Sequence, residues 1–95
     1  MAVTIINGGT QGLGEAVARK LVTQGATGLL LAGRSPDRGE ALAGELTAAG
    51  TPTIFVQADI ADPGAPKAIV DACLARFGVV NNVVNVAAEI GRAHV

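Results

Sequence analysis

The stretch Asn7-Gly8-Gly9-Thr10-Gln11-Gly12-Leu13-Gly14 decides the fold, because of what stands on either side of it. Before it, Ala2 to Ile6 is an unbroken, largely β-branched apolar run, the pattern of a strand covered on both faces of a parallel sheet. After it, the spacing predicts a helix from about Gly12 to Thr23, with Leu13, Val17 and Leu21 on one inward face. Ala18 and Val22 widen that face, and Glu15, Arg19 and Lys20 are left for water. A strand that turns through glycines directly into a helix aims the helix's unpaired N–H groups, and the positive end of its dipole, at the carboxyl edge of the sheet. That geometry favours an anion. Gly8 suits a tight turn, Gly12 a close approach of phosphate to backbone, and Gly14 close packing of helix on strand.

Working outward, strand-length apolar runs alternate with segments of helical period. Leu29 to Ala32 is the second run, closing at Gly33-Arg34. Ser35-Pro36 reads as N-cap and first helical position of a helix to about Ala49, with Leu42 and Leu46 inward and Gly50 ending it. The third strand is Thr53 to Gln57. Asp62-Pro63 opens a third helix with Ile69, Val70, Cys73, Leu74 and Phe77 inward, Asp62 serving as its N-cap and Gly78 as its stop. The fourth strand runs from about Asn82 to Ala87. The order β-α-β-α-β-α-β implies a parallel, doubly wound α/β sheet with right-handed crossovers and helices on both faces.

Composition narrows the function classes. The 95 residues are 49% hydrophobic and 16% charged, which excludes a disordered chain and limits the fold to one domain or part of one. Seven basic against eight acidic residues, a net charge of −1, favour neither nucleic acid nor a membrane surface as partner. A single cysteine, Cys73, removes intramolecular disulfides and fits a reducing cytoplasm; its inward position marks it as core. Met1 to Ile6 has no basic lead-in and meets glycine too soon for a signal peptide or membrane span. There is no Tyr or Trp, Ser35 is the only serine, and His94 is the only histidine, with no partner at metal-binding spacing.

The glycine spacing is G-x-x-x-G-x-G, and with it the chain resembles the classical short-chain dehydrogenase/reductase family, whose first turn reads T-G-x-x-x-G-[IL]-G. The resemblance spans residues 2 to 88 and has three further landmarks in register: Gly33-Arg34, Asp59-Ile60, and Phe77-Gly78 followed by Val84-Asn85-Val86-Ala87-Ala88, similar to F-G-x-x-D-x-[LV]-V-N-N-A-G. Asn7 stands where the family has Thr, Asn81 where it often has Asp, and Val86 and Ala88 where it has Asn and Gly. Asn7 is able to tie the turn through its side chain. Ala88 is the less compatible change, since the family's glycine lets backbone pass near the nicotinamide ribose.

The resemblance implies the cofactor-binding half of a Rossmann-like domain over residues 1–88, truncated after its fourth strand. It also implies a nicotinamide dinucleotide as ligand and a small carbonyl or alcohol as the parent's substrate, the parent being a homo-oligomer. The cofactor-binding residues would be Gly8, Thr10, Gln11, Gly12, Leu13 and Gly14 at the phosphates; Gly33, Arg34 and Ser35 at the adenosine ribose; Asp59 and Ile60 at adenine; and Asn85 and Ala87 at the fourth strand's end. Gly33 lies nineteen residues after Gly14, where an acid would bind the ribose 2′-hydroxyl of NAD. The acid is absent and Arg34 is adjacent, so NADP is expected before NAD. The family's catalytic Ser and Tyr-x-x-x-Lys have no counterpart here, and the chain itself is expected to be inactive. Two rivals are a stand-alone, non-catalytic nucleotide-binding module and a methyltransferase, which would want an acid where Asn7 stands.

Residues 89–95, Glu-Ile-Gly-Arg-Ala-His-Val, break the character of the chain. They can be encoded by GAG ATC GGA AGA GCA CAC GTC, which from its second base matches the start of a common sequencing-library adapter. The tail is therefore expected to be adapter read-through that carries no site.

Overall fold

A computed structural model describes residues 2–10, 12–59 and 61–86. Seven elements alternate without interruption: β1 (Val3–Asn7), α1 (Gly12–Thr23), β2 (Gly28–Gly33), α2 (Pro36–Ala48), β3 (Thr53–Gln57), α3 (Ala65–Phe77) and β4 (Asn82–Asn85). The four strands form one parallel sheet in the order β3-β2-β1-β4. The chain moves outward from β1 to β3, then crosses back to place β4 on the other side of β1. This reversal makes the sheet doubly wound.

Side-chain alternation along each strand feeds two separate cores. Ile6, Leu29 and Leu31 face α1 and α2, where they meet Ala18, Leu42, Ala43 and Leu46. Val3, Ile5, Leu30 and Ala32 face α3, where Ala65, Ile69 and Cys73 cover them. Cys73 is buried in that layer as expected, and its thiol donates to the Val79 carbonyl at 3.5 Å. Burial pushes its pKa up, so it remains a thiol.

Several local expectations shift. The first strand is Val3–Asn7 rather than 2–6, because Asn7 still pairs in register with both Ala32 and Asn85. The third helix begins at Ala65, not at Asp62-Pro63: the Asp62 side chain accepts from the Gly64 N–H at 2.9 Å and its carbonyl from the Ala65 N–H at 3.0 Å, so it caps a turn that precedes the helix. Gly78 ends α3 in the left-handed region, with its N–H bonded to the Leu74 carbonyl. Leu13, expected inward, is 66% exposed, and Val70 and Leu74 on α3 are 37% and 44% exposed. Leu13 sits in the first turn of α1, beyond the strand ends that would cover it. On α3 the four-spaced row Ala65, Ile69, Cys73 and half-buried Phe77 packs on the sheet with half-buried Ala72 beside it, and no described element lies against the flank carrying Val70 and Leu74. The fourth strand, expected to run to Ala87, ends at Asn85, with Val86 already past it; Ala87 and the 89–95 tail lie outside the described residues.

Candidate functional site

All four strands end on the same edge, and the turn after β1 lies at its centre. The N–H of Gly8 donates to the Ala32 carbonyl at 2.7 Å, fastening the turn to β2. Gly8 has φ +83°, and a Cβ there would stand 2.4 Å from the Val86 carbonyl oxygen, so glycine permits both the turn and the passage of the chain after β4. At Gly14 a Cβ would meet the Gly8 carbonyl oxygen at 2.1 Å and Gly9 Cα at 2.6 Å. The close packing expected of Gly14 is thus against the turn rather than the strand. Gly12 differs from both: it has φ +56°, yet a Cβ would find nothing within 4 Å. Its conformation demands glycine while the space before it is open, at the N-terminus of α1 where unpaired N–H groups favour an anion.

Thr10 is 4% exposed, and its side chain lies against Gly33, where a Cβ would come 3.1 Å from Thr10 Oγ1. Arg34 and Ser35 follow on the surface. Ser35 occupies the N-cap position of α2, but its side chain makes no capping bond; its carbonyl accepts from the Gly39 N–H at 2.9 Å. Arg34 has no ion pair among the described residues. β3 continues its pairing past its last residue through the Ala58 N–H to the Gly33 carbonyl at 2.8 Å, which brings Asp59 to the same edge. One Asp59 carboxylate oxygen is engaged locally by the Ala61 N–H at 2.9 Å.

On the other side of β1, Asn7 Nδ2 donates to Asn85 Oδ1 at 2.6 Å. Asn7 was expected to tie the turn together; instead it ties β1 to β4, because the two residues are register partners with side chains on the same face. Its own Oδ1 is buried and has no hydrogen-bond partner among the described residues. Asn81 similarly closes the other end of this strand pair, its Oδ1 accepting from the Val3 N–H at 2.8 Å. The structure therefore brings Gly8, Thr10, Gly12, Leu13, Gly14, Gly33, Arg34, Ser35, Asp59 and Asn85 to one edge. Gln11, Ile60 and Ala87 lie outside the described residues.

Sequence reasoning left Arg19 for water and missed its role. Its guanidinium bonds Glu15 Oε2 from Nε at 2.9 Å and Nη2 at 2.8 Å, and reaches Glu45 Oε2 on α2 from Nη1 at 2.5 Å. These contacts hold the Glu45 carboxyl below its ordinary range and raise the Arg19 pKa. The i, i+4 spacing of Glu15 and Arg19 was a visible signal; the reach to α2 depends on how the two helices pack. No group of three or more metal-ligating side chains occurs among the described residues, and no helix among them is long and apolar enough to cross a membrane.

Known proteins share this arrangement. The chain is 41% identical over 84 residues to an NADP-dependent (R)-specific alcohol dehydrogenase of Lentilactobacillus kefiri, covering 87% of this chain and 32% of that one. An alcohol dehydrogenase of the archaeon Thermococcus sibiricus, solved with 5-hydroxy-NADP, superposes with a TM-score of 0.81 at 36% identity, covering 87% of this chain and 35% of that one. A short-chain dehydrogenase/reductase of Burkholderia phymatum in complex with NAD gives a TM-score of 0.81 at 32% identity over 86% of this chain and 29% of that one. The chain spans about a third of the length of the curated relatives it matches. The family model for short chain dehydrogenases matches residues 2–94, and the glycine turn, the reversed strand order and this degree of likeness agree: the chain belongs to the short-chain dehydrogenase family.

Proposed function

We propose that residues 1–88 are the NADP(H)-binding portion of a longer oxidoreductase, which moves hydride between nicotinamide and a small carbonyl or alcohol. The observation that carries this reading is the open cradle at Gly12, with Arg34 uncommitted on the adjoining strand end. The residues fit a dinucleotide: the Gly8–Gly14 turn offers backbone N–H groups to the phosphates, and Arg34 suits a 2′-phosphate. Asp59 retains a carboxylate oxygen for the adenine amino group. Asn85, held by Asn7, borders the nicotinamide end. The NADP-dependence of the Lentilactobacillus relative and the 5-hydroxy-NADP in the Thermococcus structure support the same choice.

When bound, the nicotinamide supplies or accepts the hydride. This chain positions it. The general acid that would protonate the carbonyl oxygen is, in the family, a tyrosine, and this chain has none. The chain alone therefore binds without turning over. The longer protein would work in a reducing cytoplasm as a homo-oligomer, free of nucleic-acid and membrane partners.

The test is the cofactor preference of the longer protein. NADPH should bind more tightly than NADH by about 1–3 kcal/mol, the range for a charge-assisted pair, and Arg34→Ala should remove most of that difference. Equal affinities before mutation would sink the reading.

A further inference from the structure

β3 lies at one end of the sheet, away from β4, the side on which a continuing chain adds its next strand. The Leu29 N–H donates to the Pro52 carbonyl at 3.0 Å and the Ala58 N–H to the Gly33 carbonyl at 2.8 Å, so with an unbroken register Ile54, Val56 and Ala58 turn their backbone groups to β2. Thr53, Phe55 and Gln57 turn theirs outward. At Thr53 the edge is already closed, since its N–H donates to Thr47 Oγ1 at 3.0 Å and its carbonyl accepts from the same hydroxyl at 3.2 Å. The outward N–H and carbonyl groups of Phe55 and Gln57 have no partner among the described residues. The strand Thr-Ile-Phe-Val-Gln carries no charge, no proline and no bulge, the usual devices that blunt an edge. Beside this open edge, Ile54, Val56 and Ala58 are only half-buried on the α3 face.

The free groups are complementary to themselves. In an antiparallel pair centred on Val56, the Phe55 N–H and carbonyl bond the partner's Gln57, and the Gln57 groups bond the partner's Phe55. Every free group is then used, and the Thr47–Thr53 contact stays intact. Centring on Phe55 instead would set Gln57 against the partner's Thr53, which is already closed. We propose that β3 is an interface with a second copy of this chain, the two strands running antiparallel across a two-fold axis at Val56. Ile54 then lies opposite the partner's Ala58 and Val56 opposite the partner's Val56, so the half-buried stripe on the α3 face covers itself. Such an isologous contact closes after two copies. The inference rests on the homo-oligomer reading above and names the surface. A contact confined to one strand edge falls below the standard interface size of about 1,200 Å², so the two copies exchange with monomer unless other surfaces add to it.

The experiment follows the longer protein by analytical ultracentrifugation across concentrations and by cysteine cross-linking. Gln57→Pro removes an N–H that points away from β2, so it costs the sheet no bond, and it should weaken association through this edge about tenfold or more. Val56→Cys should give a disulfide-linked dimer under mild oxidation, because facing residues of a non-hydrogen-bonded antiparallel pair stand about 4.5 Å apart at Cα. Ile54→Cys should not, its counterpart in the second copy lying roughly 13 Å away along the strand. Cys73 is buried and gives no competing link. A link at Val56 and none at Ile54 supports the interface even where Gln57→Pro lowers the melting temperature. If the protein associates but Val56→Cys links no faster than Ile54→Cys, the homo-oligomer reading stands and β3 is not its interface. A protein that stays monomeric at every concentration overturns both.

Discussion

Two glycines two residues apart answer to different constraints. Gly14→Ala would drive a methyl group into the Gly8 carbonyl, 2.1 Å away, and into Gly9 Cα. Neither is the movable end of a side chain, so α1 must shift, and the loss of stability should be roughly 3 kcal/mol, the upper part of the usual range for overpacking. Gly12→Ala meets no atom but forces a left-handed residue to carry a Cβ, at about 1–2 kcal/mol. Its methyl group would project into the open space of the cradle, so NADPH affinity should fall by about tenfold or more beyond any effect on folding. Chemical denaturation and cofactor titration on the same two variants separate these outcomes. The need for glycine at both positions was legible in the sequence, because a strand-to-helix turn sets it locally; that Gly14 packs on the turn and not on the strand was not. Asn7 was not legible in the same way: its partner Asn85 is 78 residues away and is set by strand register.

Among the elements, periodicity placed every helix and strand, and what it missed concerns where a neighbouring surface ends. Leu13, Val70 and Leu74 belong to apolar helical faces by spacing, yet the sheet does not extend far enough to cover them. The α1–α2 connection through Arg19 and Glu45 depends on the packing azimuth of the two helices, which no local pattern encodes. It predicts a pH dependence. The carboxyl of Glu45 is lowered from 4.5 by the Arg19 hydrogen bond and charge, so its contribution to stability is present above that value and is lost as pH falls through the lower, folded-state pKa. Glu45→Gln should therefore lower the melting temperature slightly at pH 7, and the gap should close in acid and shrink in about 1 M salt, because the pair is exposed and screened. A gap that persists under both conditions would mean that Glu45 acts by packing.

For the molecule as a whole, the two faces of the sheet are covered unequally. α1 and α2 lie over one face, while α3 alone serves the other, and Val70, Leu74, Val79 and Val83 remain exposed on α3 and in and before β4. Val83 pairs in register with Ile5, which faces α3, so its side chain lies on that same face. The outer edge of β4 has no partner strand among the described residues. In a chain that continues past β4, the handedness of parallel crossovers fixes where the next helix goes. α3 carries the chain toward β4 on this face, and a further right-handed step in the same direction puts its helix on the same face, beside α3. That helix would cover Val83 and the Val70–Leu74 flank, and a fifth strand would satisfy the edge. The 95-residue chain alone should therefore self-associate through this apolar face and open edge, giving soluble aggregates or a loosely packed state in light scattering and near-UV spectra. Leu74→Lys combined with Val83→Lys should reduce the association while preserving far-UV helicity, since neither side chain belongs to the buried clusters. A monomeric 95-residue chain that melts cooperatively would contradict this and favour the stand-alone nucleotide-binding module instead.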